Sequence, residues 1–299
     1  MKCFHGDGKT ISYFEGWYFK HQRKKKVICF IPGVQIDGAG NASAFIQVIT
    51  NNQTHYVTYP YDCFQSHPKR LWIKIGNNLF TEKGVKLDIK CPDLEIKGKI
   101  KYGPLTPISY CIMGPLRFIP FMKCSHDVFS MSHNINGKLS MNGKQFCLDG
   151  GKGYIETDYG SSFPSTYFWA QCNDFKGEEC SVVTAIADMN ILCFKIRGCF
   201  AIIYYQGKEY RFATYLGAKV VLLRKNKVCI TQGQDTLYIQ TYDRQPRELK
   251  APQNGTMNRS IYEDVSCYIR FRFYHAGKKV FDLRSSHASV EYVGIKNSN

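Results

Sequence analysis

Val85-Lys-Leu-Asp-Ile-Lys90 and, a few residues later, Leu94-Glu-Ile-Lys-Gly-Lys-Ile-Lys101 alternate apolar and charged residues. A period of two puts Val85, Leu87 and Ile89 on one face of a strand and Lys86, Asp88 and Lys90 on the other, the pattern of a half-buried β-strand. Cys267-Tyr-Ile-Arg-Phe-Arg-Phe273 repeats it, with Cys267, Ile269, Phe271 and Phe273 facing in and Arg270 and Arg272 facing out. Outward from these segments, Phe14–Lys20 reads as a strand followed by a basic turn, His21-Gln-Arg-Lys-Lys-Lys26. Short β-branched runs at Val27–Gly33, Ser43–Thr50, Tyr56–Tyr59 and Leu71–Ile75 continue the series, with Asp37-Gly-Ala-Gly40 as a turn signal. Asn136-Gly137, Asn142-Gly143 and Asn254-Gly255 punctuate it, and Asn142-Gly143 between Lys138–Met141 and Gln145–Leu148 predicts a hairpin. No stretch keeps helical periodicity over three turns, and no exact internal repeat is visible. The expected fold class is therefore all-β, a sandwich or barrel with very little helix. Tyr102–Met122 breaks the rhythm with four prolines. It predicts a long apolar loop that packs over the core or lines a cavity.

A chain of 299 residues has room for one large all-β unit or for two domains of about 150 residues each. Hydrophobic content of 44% with 21% charged residues is that of a folded globular protein. Forty basic against 24 acidic residues leave a charge of +16, which attracts anionic surfaces. No RNP-like motif, helix-turn-helix or zinc finger accompanies that charge, so nucleic acid is not the expected partner. Thirteen cysteines, an odd number scattered from Cys3 to Cys267 without a signal peptide, predict free thiols in a reducing cytoplasm. No Cys-x-x-Cys pair occurs, and His126 and His133, seven residues apart, would point to opposite faces of one strand, so no metal is predicted. The apolar run Ser181–Tyr205 is broken by Asp188, Lys195 and Arg197 below the ~20 residues a membrane span needs. It reads as buried strands joined by a polar turn.

At the midpoint lies Gly150-Gly-Lys-Gly-Tyr-Ile-Glu-Thr-Asp-Tyr-Gly-Ser-Ser-Phe-Pro-Ser-Thr-Tyr-Phe-Trp-Ala-Gln-Cys-Asn173. If extended, it places Tyr154, Glu156 and Asp158 on one face, two carboxyl groups beside an aromatic ring. Carboxylates so close raise one another's pKa, which helps keep one of them protonated. Gly160–Pro164 is turn chemistry, and Tyr167–Cys172 reads as a second strand returning alongside. On spacing alone the segment is equally a hairpin whose acids face water. A glycosidase would need its two acids on either side of a sugar bond, which neighbours on one strand do not provide.

This stretch resembles the signature of the tocopherol cyclase family, a Gly-Tyr-x-Glu-x-Asp-Trp-Gly-x-Ser-Phe-Pro segment followed by Trp/Phe-Trp-x-Gln. Here it reads Gly153-Tyr-Ile-Glu-Thr-Asp-Tyr-Gly-Ser-Ser-Phe-Pro164, then Phe168-Trp-Ala-Gln171, with Tyr159 where the family usually has tryptophan. Two further family segments precede it in order: Phe14-Glu-Gly-Trp-Tyr-Phe-Lys20, and Gly114-Pro-Leu-Arg-Phe-Ile-Pro-Phe-Met-Lys-Cys-Ser-His126, running on to His133. A weaker likeness extends to carotenoid hydratases and other paired lipocalin-like proteins.

The resemblance implies two lipocalin-like antiparallel barrels, residues 1–148 and 149–299. It implies cofactor-independent, acid-catalysed cyclisation or hydration of a prenylated or polyene hydrophobic substrate, bound in a cavity at or between the barrels. Asp158 is the expected proton donor, with Glu156 as its neighbour and His126 handling the phenolic or water proton. Glu15 and Trp17 would close the site from the other barrel, and Tyr159 and Trp169 would supply rings for a cation. His133, Tyr154 and Arg117 complete the expected substrate contacts. The competing expectation is a non-enzymatic carrier of the same kind of ligand. Such a ligand resides in membranes, so the expected location is cytoplasmic with peripheral contact to an anionic bilayer through residues including Arg23–Lys26.

Overall fold

The two alternating segments around residue 90 form a hairpin, Gly84–Cys91 against Leu94–Tyr102, with Ile89 opposite Ile96 and Lys86 opposite Lys99. Val85, Leu87, Ile89, Ile96 and Ile100 are buried and the lysines between them exposed, as a period of two requires. A computed structural model of the protein describes residues 3–119, 122–191, 194–242 and 245–295. The chain is 69% strand and 4% helix, nearly all-β as expected. Its strands form two antiparallel sheets.

The first sheet contains β1 (Tyr13–Arg23), β2 (Lys26–Ile36), β3 (Ala42–Thr50), β4 (Thr54–Pro60), β5 (Phe64–Ser66) and β6 (Trp72–Ile75). β7 (Asn78–Thr81), β8 (Gly84–Cys91), β9 (Leu94–Tyr102), β10 (Cys124–Met141), β11 (Lys144–Cys147) and β12 (Gly151–Gly160) complete it. The second contains β13 (Tyr167–Cys172), β14 (Cys180–Ile191), β15 (Phe194–Tyr205), β16 (Lys208–Ala213) and β17 (Lys219–Arg224). To these it adds β18 (Lys227–Gln232), β19 (Asp235–Thr241), β20 (Arg247–Gln253), β21 (Thr256–His275) and β22 (Lys278–Val293).

Both sheets follow one plan that no sequence repeat announces. The first runs β4-β3-β2-β1-β12-β10-β9-β8-β7-β6-β5, with β11 added to β10. The second runs β16-β15-β14-β13-β22-β21-β19-β18-β17, with β20 added to β21. In each, the last strand pairs with the first, and the two ends of the path are consecutive in the chain. A single 3-10 turn joins those ends, Tyr61–Cys63 in one sheet and Thr214–Leu216 in the other. Three residues reach only about 10 Å, whereas eleven flat strands would spread over roughly 50 Å, so the sheet has to curl on itself. Each curl wraps its own apolar core: Trp17, Phe19, Phe30, Phe80 and Ile155 are in the first, and Phe168, Phe212, Phe271 and Phe273 in the second.

The chain divides into two units, neither of them a continuous half. One comprises Met1–Pro107, Lys123–Phe163 and Leu249–Ser260; the other Ile108–Met122, Pro164–Glu248 and Ile261–Asn299. The boundary expected at residue 148 is thus corrected. β12 lies beyond that point yet is hydrogen-bonded along one edge to β1 and along the other to β10, so the central motif stays with the first unit through Phe163. The expected hairpin is corrected too, because β13 pairs with β14 and β22 rather than with β12.

The proline-rich loop is irregular as expected, apart from a 3-10 turn at Gly114–Phe118; Pro120 and Phe121 lie outside the described residues. Its first part is fastened to β10, where the Met131 amide donates to the Thr106 carbonyl over 2.7 Å. Its second part is fastened within the other unit, with the Arg211 guanidinium 3.7 Å from the Tyr110 ring centroid and the Tyr215 hydroxyl donating to the Ile112 carbonyl over 3.1 Å.

Asn142 and Gly143 take φ of 49° and 77°, the pair of left-handed residues that a two-residue hairpin turn needs. Asn136-Gly137 is not a turn. It lies inside β10, where a Cβ on Gly137 would sit 2.2 Å from the Lys99 carbonyl oxygen. The basic run contributes only Lys24 and Lys25 to its turn, while His21 and Gln22 are buried in β1.

His21 belongs to a neutral polar cluster on the core face of the first sheet. Its Nδ1 donates to the Ile28 carbonyl over 3.3 Å, which leaves Nε2 to accept from the Tyr102 hydroxyl at 2.6 Å. The Tyr102 ring lies 4.5 Å from that of His133, whose Nδ1 meets Ser130 Oγ at 3.0 Å. Burial lowers the pKa of both histidines to about 3, with repulsion between the two rings on protonation and the charge of Lys152 further causes at His133.

Gly137→Ala should cost roughly 2 kcal/mol or more of stability in denaturant melts, because the new methyl meets backbone that cannot step aside. The two core histidines bind protons when unfolded, near pH 6.5, but not when folded until about pH 3. Their contribution is therefore complete above pH 6.5 and is lost as pH falls from there toward 3, at up to about 1.4 kcal/mol per pH unit for each. His21→Phe should flatten that slope measurably, whatever it does to stability at neutral pH.

Candidate active site

β12 has a neighbour on each edge and is buried on both faces along most of its length, so its two faces can carry different chemistry. On one, Ile155 enters the apolar core, and the Thr157 hydroxyl donates to the Gly16 carbonyl at 2.9 Å. On the other lie Tyr154, Glu156 and Asp158, as the period of two predicts. The register places His126 of β10 opposite Asp158, and Gly16, Tyr18 and Lys20 of β1 opposite Asp158, Glu156 and Tyr154. The acids thus stand on the face that points away from the hydrophobic core. Lys20, Tyr18, Tyr154 and Glu156 are nonetheless buried.

His126 bridges the two carboxyl groups. Its Nδ1 is 2.8 Å from Asp158 Oδ1, and its Nε2 is 3.2 Å from Glu156 Oε2. The Tyr154 hydroxyl donates to the same Glu156 oxygen over 2.5 Å. Exposure separates the two acids: the Glu156 side chain is 4% accessible and that of Asp158 25%. Glu156 is the closed end of the array and Asp158 the open end.

Burial alone would pull the His126 pKa down, but the charges of Asp158 and then Glu156, with their hydrogen bonds, outweigh it and hold the imidazole well above its ordinary value. The two carboxyl groups thus favour its protonated form. Burial raises the pKa of Glu156, and the charge of Asp158 adds to the rise, against the opposing influence of His126 and the Tyr154 hydrogen bond. The carboxyl for which a raised pKa is found is thus the enclosed Glu156, whereas the sequence reading assigned the donated proton to Asp158. Burial and the nearby Glu156 charge keep Tyr154 a protonated phenol, and burial with Asp158 does the same for the Cys124 thiol, whose Sγ lies 3.9 Å from Asp158 Oδ1. The ligating atoms of His126, Glu156 and Asp158 all fall within 4.8 Å of one another, so the three could close on a cation. As arranged, Nδ1 is hydrogen-bonded to Asp158 and Nε2 is in ion-pair contact with Glu156; one ion cannot meet both nitrogens of one imidazole.

Three expected partners occupy a different place. Glu15, Trp17 and Tyr159 were expected at the acids, the first two from another barrel. β1 is instead the strand beside β12 in the same sheet, and Glu15 pairs with Tyr159 one residue out of step with the acids, on the core face. Glu15 accepts from the Tyr13 hydroxyl at 2.6 Å and from the His5 amide at 2.8 Å, and the His5 ring stacks on Tyr159 at 3.7 Å. Trp17 packs between Phe4 and Phe64, each 6.3 Å away by ring centroid. His133 sits over Gly153 on the core face, where a Cβ would meet its Nε2 at 2.2 Å. His126 and His133 do point to opposite faces. Trp169 and Arg117 belong to the second unit, Trp169 opposite Glu291 on β22 and Arg117 over the Phe118 ring at 4.6 Å. Sequence reading missed Tyr18 and Lys20, although their spacing from Gly16 by twos was the available signal. It missed His5 and Tyr102 as well, and no local pattern marks those two.

The described cysteines are all free, and no described helix is long and apolar enough to cross a membrane. A family model described as tocopherol cyclase-like matches residues 81–294. A chloroplast protein of Oryza sativa subsp. japonica, described as a probable tocopherol cyclase, is 25% identical, with 72% of this chain and 58% of that protein covered. The chain thus spans little more than half the length of that relative. Among solved structures, a Nitrosomonas europaea protein classed as AttH aligns with a TM-score of 0.55 at 10% identity, over 94% of this chain and 92% of its own. Kievitone hydratase from Nectria haematococca aligns with a TM-score of 0.52 at 14% identity, over 94% and 88%. At such identities the likeness is one of fold, two lipocalin-like antiparallel sheets in one chain. With the family model covering most of the chain, including both carboxyl groups and the histidine between them, the protein belongs to the tocopherol cyclase-like family.

Proposed function

We propose that the protein is a cofactor-independent cyclase or hydratase that protonates a carbon–carbon double bond of a prenylated or polyene hydrophobic substrate. The observation that carries this reading is the buried row Glu156, His126, Asp158, closed at one end and open at the other. An alkene is a poor base, so its acid has to be aimed and kept from water. Asp158 is the group at the open end and the one that meets substrate. The Nδ1 proton of His126 passes through Asp158 to the alkene carbon, leaving a neutral imidazole that keeps its Nε2 proton toward the Glu156 carboxylate. The resulting tertiary cation is captured by a phenol or water oxygen, and the O–H proton released there restores the row. Atoms and charge balance without a change of oxidation state, so the steps call for no redox cofactor. Tyr154 and Tyr18 are the rings placed on the acid face, where an aromatic face steadies a cation. Support comes also from the family and from a fold shared with a protein named as a hydratase.

Asp158→Asn should lower turnover by roughly 10² to 10⁴ while leaving fold and ligand affinity nearly intact, since the amide keeps the shape and cannot deliver a proton. Prenylated phenols and polyenes, screened by mass spectrometry of what co-purifies with the protein, supply the substrate for that assay. In deuterated water the product should carry one solvent deuterium on carbon. Activity should fall on the alkaline side as His126 loses its proton, and Glu156→Gln should move that limb to lower pH, because the Glu156 charge helps hold the proton on His126. Full activity of Asp158→Asn on the true substrate sinks the reading. Tight binding of the ligand by the wild type without conversion would favour a carrier instead.

A further inference from the structure

The outward face of β8, β9 and β10 carries a ladder of like charge. Lys86 stands directly opposite Lys99, and Lys99 directly opposite Lys138. Lys97 and Lys101, two residues to either side of Lys99 on β9, and Lys90, four residues beyond Lys86 on β8, extend the same face, and all six are exposed. Asp88 stands opposite Lys97 and Glu95 opposite Lys90, so the like-charge row is Lys86, Lys99 and Lys138, and none of the six lysines is held in an ion pair among the described residues.

Like charges directly opposite on neighbouring strands destabilise a sheet. Lysines are commonly placed on edge strands to prevent sheet-to-sheet association, but β8, β9 and β10 are interior strands of their sheet. Solubility asks for mixed charges rather than a row of one sign. The repulsion is therefore unexplained by the fold itself, and a partner that supplies negative charge over the same area relieves it.

We propose that this face docks the protein on the surface of an anionic lipid bilayer. Three strands by about six residues make a patch of roughly 10 by 20 Å. Lysine is a compact, mobile point charge fitted to a fluid array of anions, whereas nucleic acid is typically held by arginine forks and stacking rings. Over β8, β9 and residues 134–140 of β10 the outward positions hold neither arginine nor an aromatic residue; beyond the lysines and the two acids they are Gly84, Asn134, Asn136 and Ser140. The inference stands apart from the reaction proposed above, since a carrier would use the same surface.

The test is sedimentation with vesicles of phosphatidylcholine alone and of equimolar phosphatidylcholine and phosphatidylserine, at rising salt. The full chain should bind the mixed vesicles and not the neutral ones, and release with salt. A triple variant with Lys86→Gln, Lys99→Gln and Lys138→Gln should lose roughly 100-fold in binding, at about five-fold per lysine near the surface. Its thermal midpoint should stay level or rise, because the cross-strand repulsion is gone; this also shows that the loss is not misfolding. A control with Lys225→Gln, Lys227→Gln and Lys278→Gln changes net charge equally and should bind within a few-fold of wild type. Equal binding to neutral vesicles, indifference to salt, an equal loss in the control, or capture of RNA in place of anionic vesicles would each overturn the proposal.

Discussion

Everything distinctive in the first unit depends on β12 being hydrogen-bonded on both edges, to β1 from the start of the chain and to β10 from beyond the proline-rich loop. Because β12 is also buried on both faces along most of its length, its alternation separates two environments rather than inside from outside. A slip of one residue would exchange Ile155 for Glu156 and drive a carboxyl group into the apolar core. Register here is the condition for both folding and chemistry. Gly160 shows how tightly it is held, since a Cβ there would lie 2.2 Å from the Lys123 carbonyl oxygen.

The same sheet treats one residue type in two opposite ways. His126 and His133 both lie on β10, and both are buried. The first stands between two carboxylates and is held in its charged form, while the second faces Tyr102 and Ser130 and is held neutral. Removing a charge from water costs several kcal/mol unless partners return it. His126 meets that cost with two anions; His133 avoids it by giving up its proton. The difference lies in which face each ring occupies, and two irregularities in the β10 pairing, between Val128 and Ser130 and between Ser130 and His133, fall in the stretch that separates them.

The AttH-type protein and kievitone hydratase share the two-sheet plan at identities too low to carry residue roles across. The acid row, with its enclosed glutamate and open aspartate, is read from the present chain alone.

Much was decided by sequence alone. Alternation at Val85–Lys101 and Cys267–Phe273 made the chain all-β, because a period of two fits only a strand with one apolar face. Asn142-Gly143 marked its hairpin, because few other residues take left-handed φ at both central positions. Tyr154, Glu156 and Asp158 could be set on one face by counting. Tertiary structure decided the rest. Spacing could not tell whether Glu156 faces water or is buried, since a strand with neighbours on both edges and cover on both faces has no signature beyond the alternation itself. Nor could it bring His126, 30 residues away in sequence, between the two acids, or send Glu15 and Trp17 to the opposite face, because register between distant strands is set by backbone pairing that leaves no local mark. The domain boundary failed for the same reason: a strand belongs where its edges are hydrogen-bonded, and the edges that claim β12 come from the first residues of the chain.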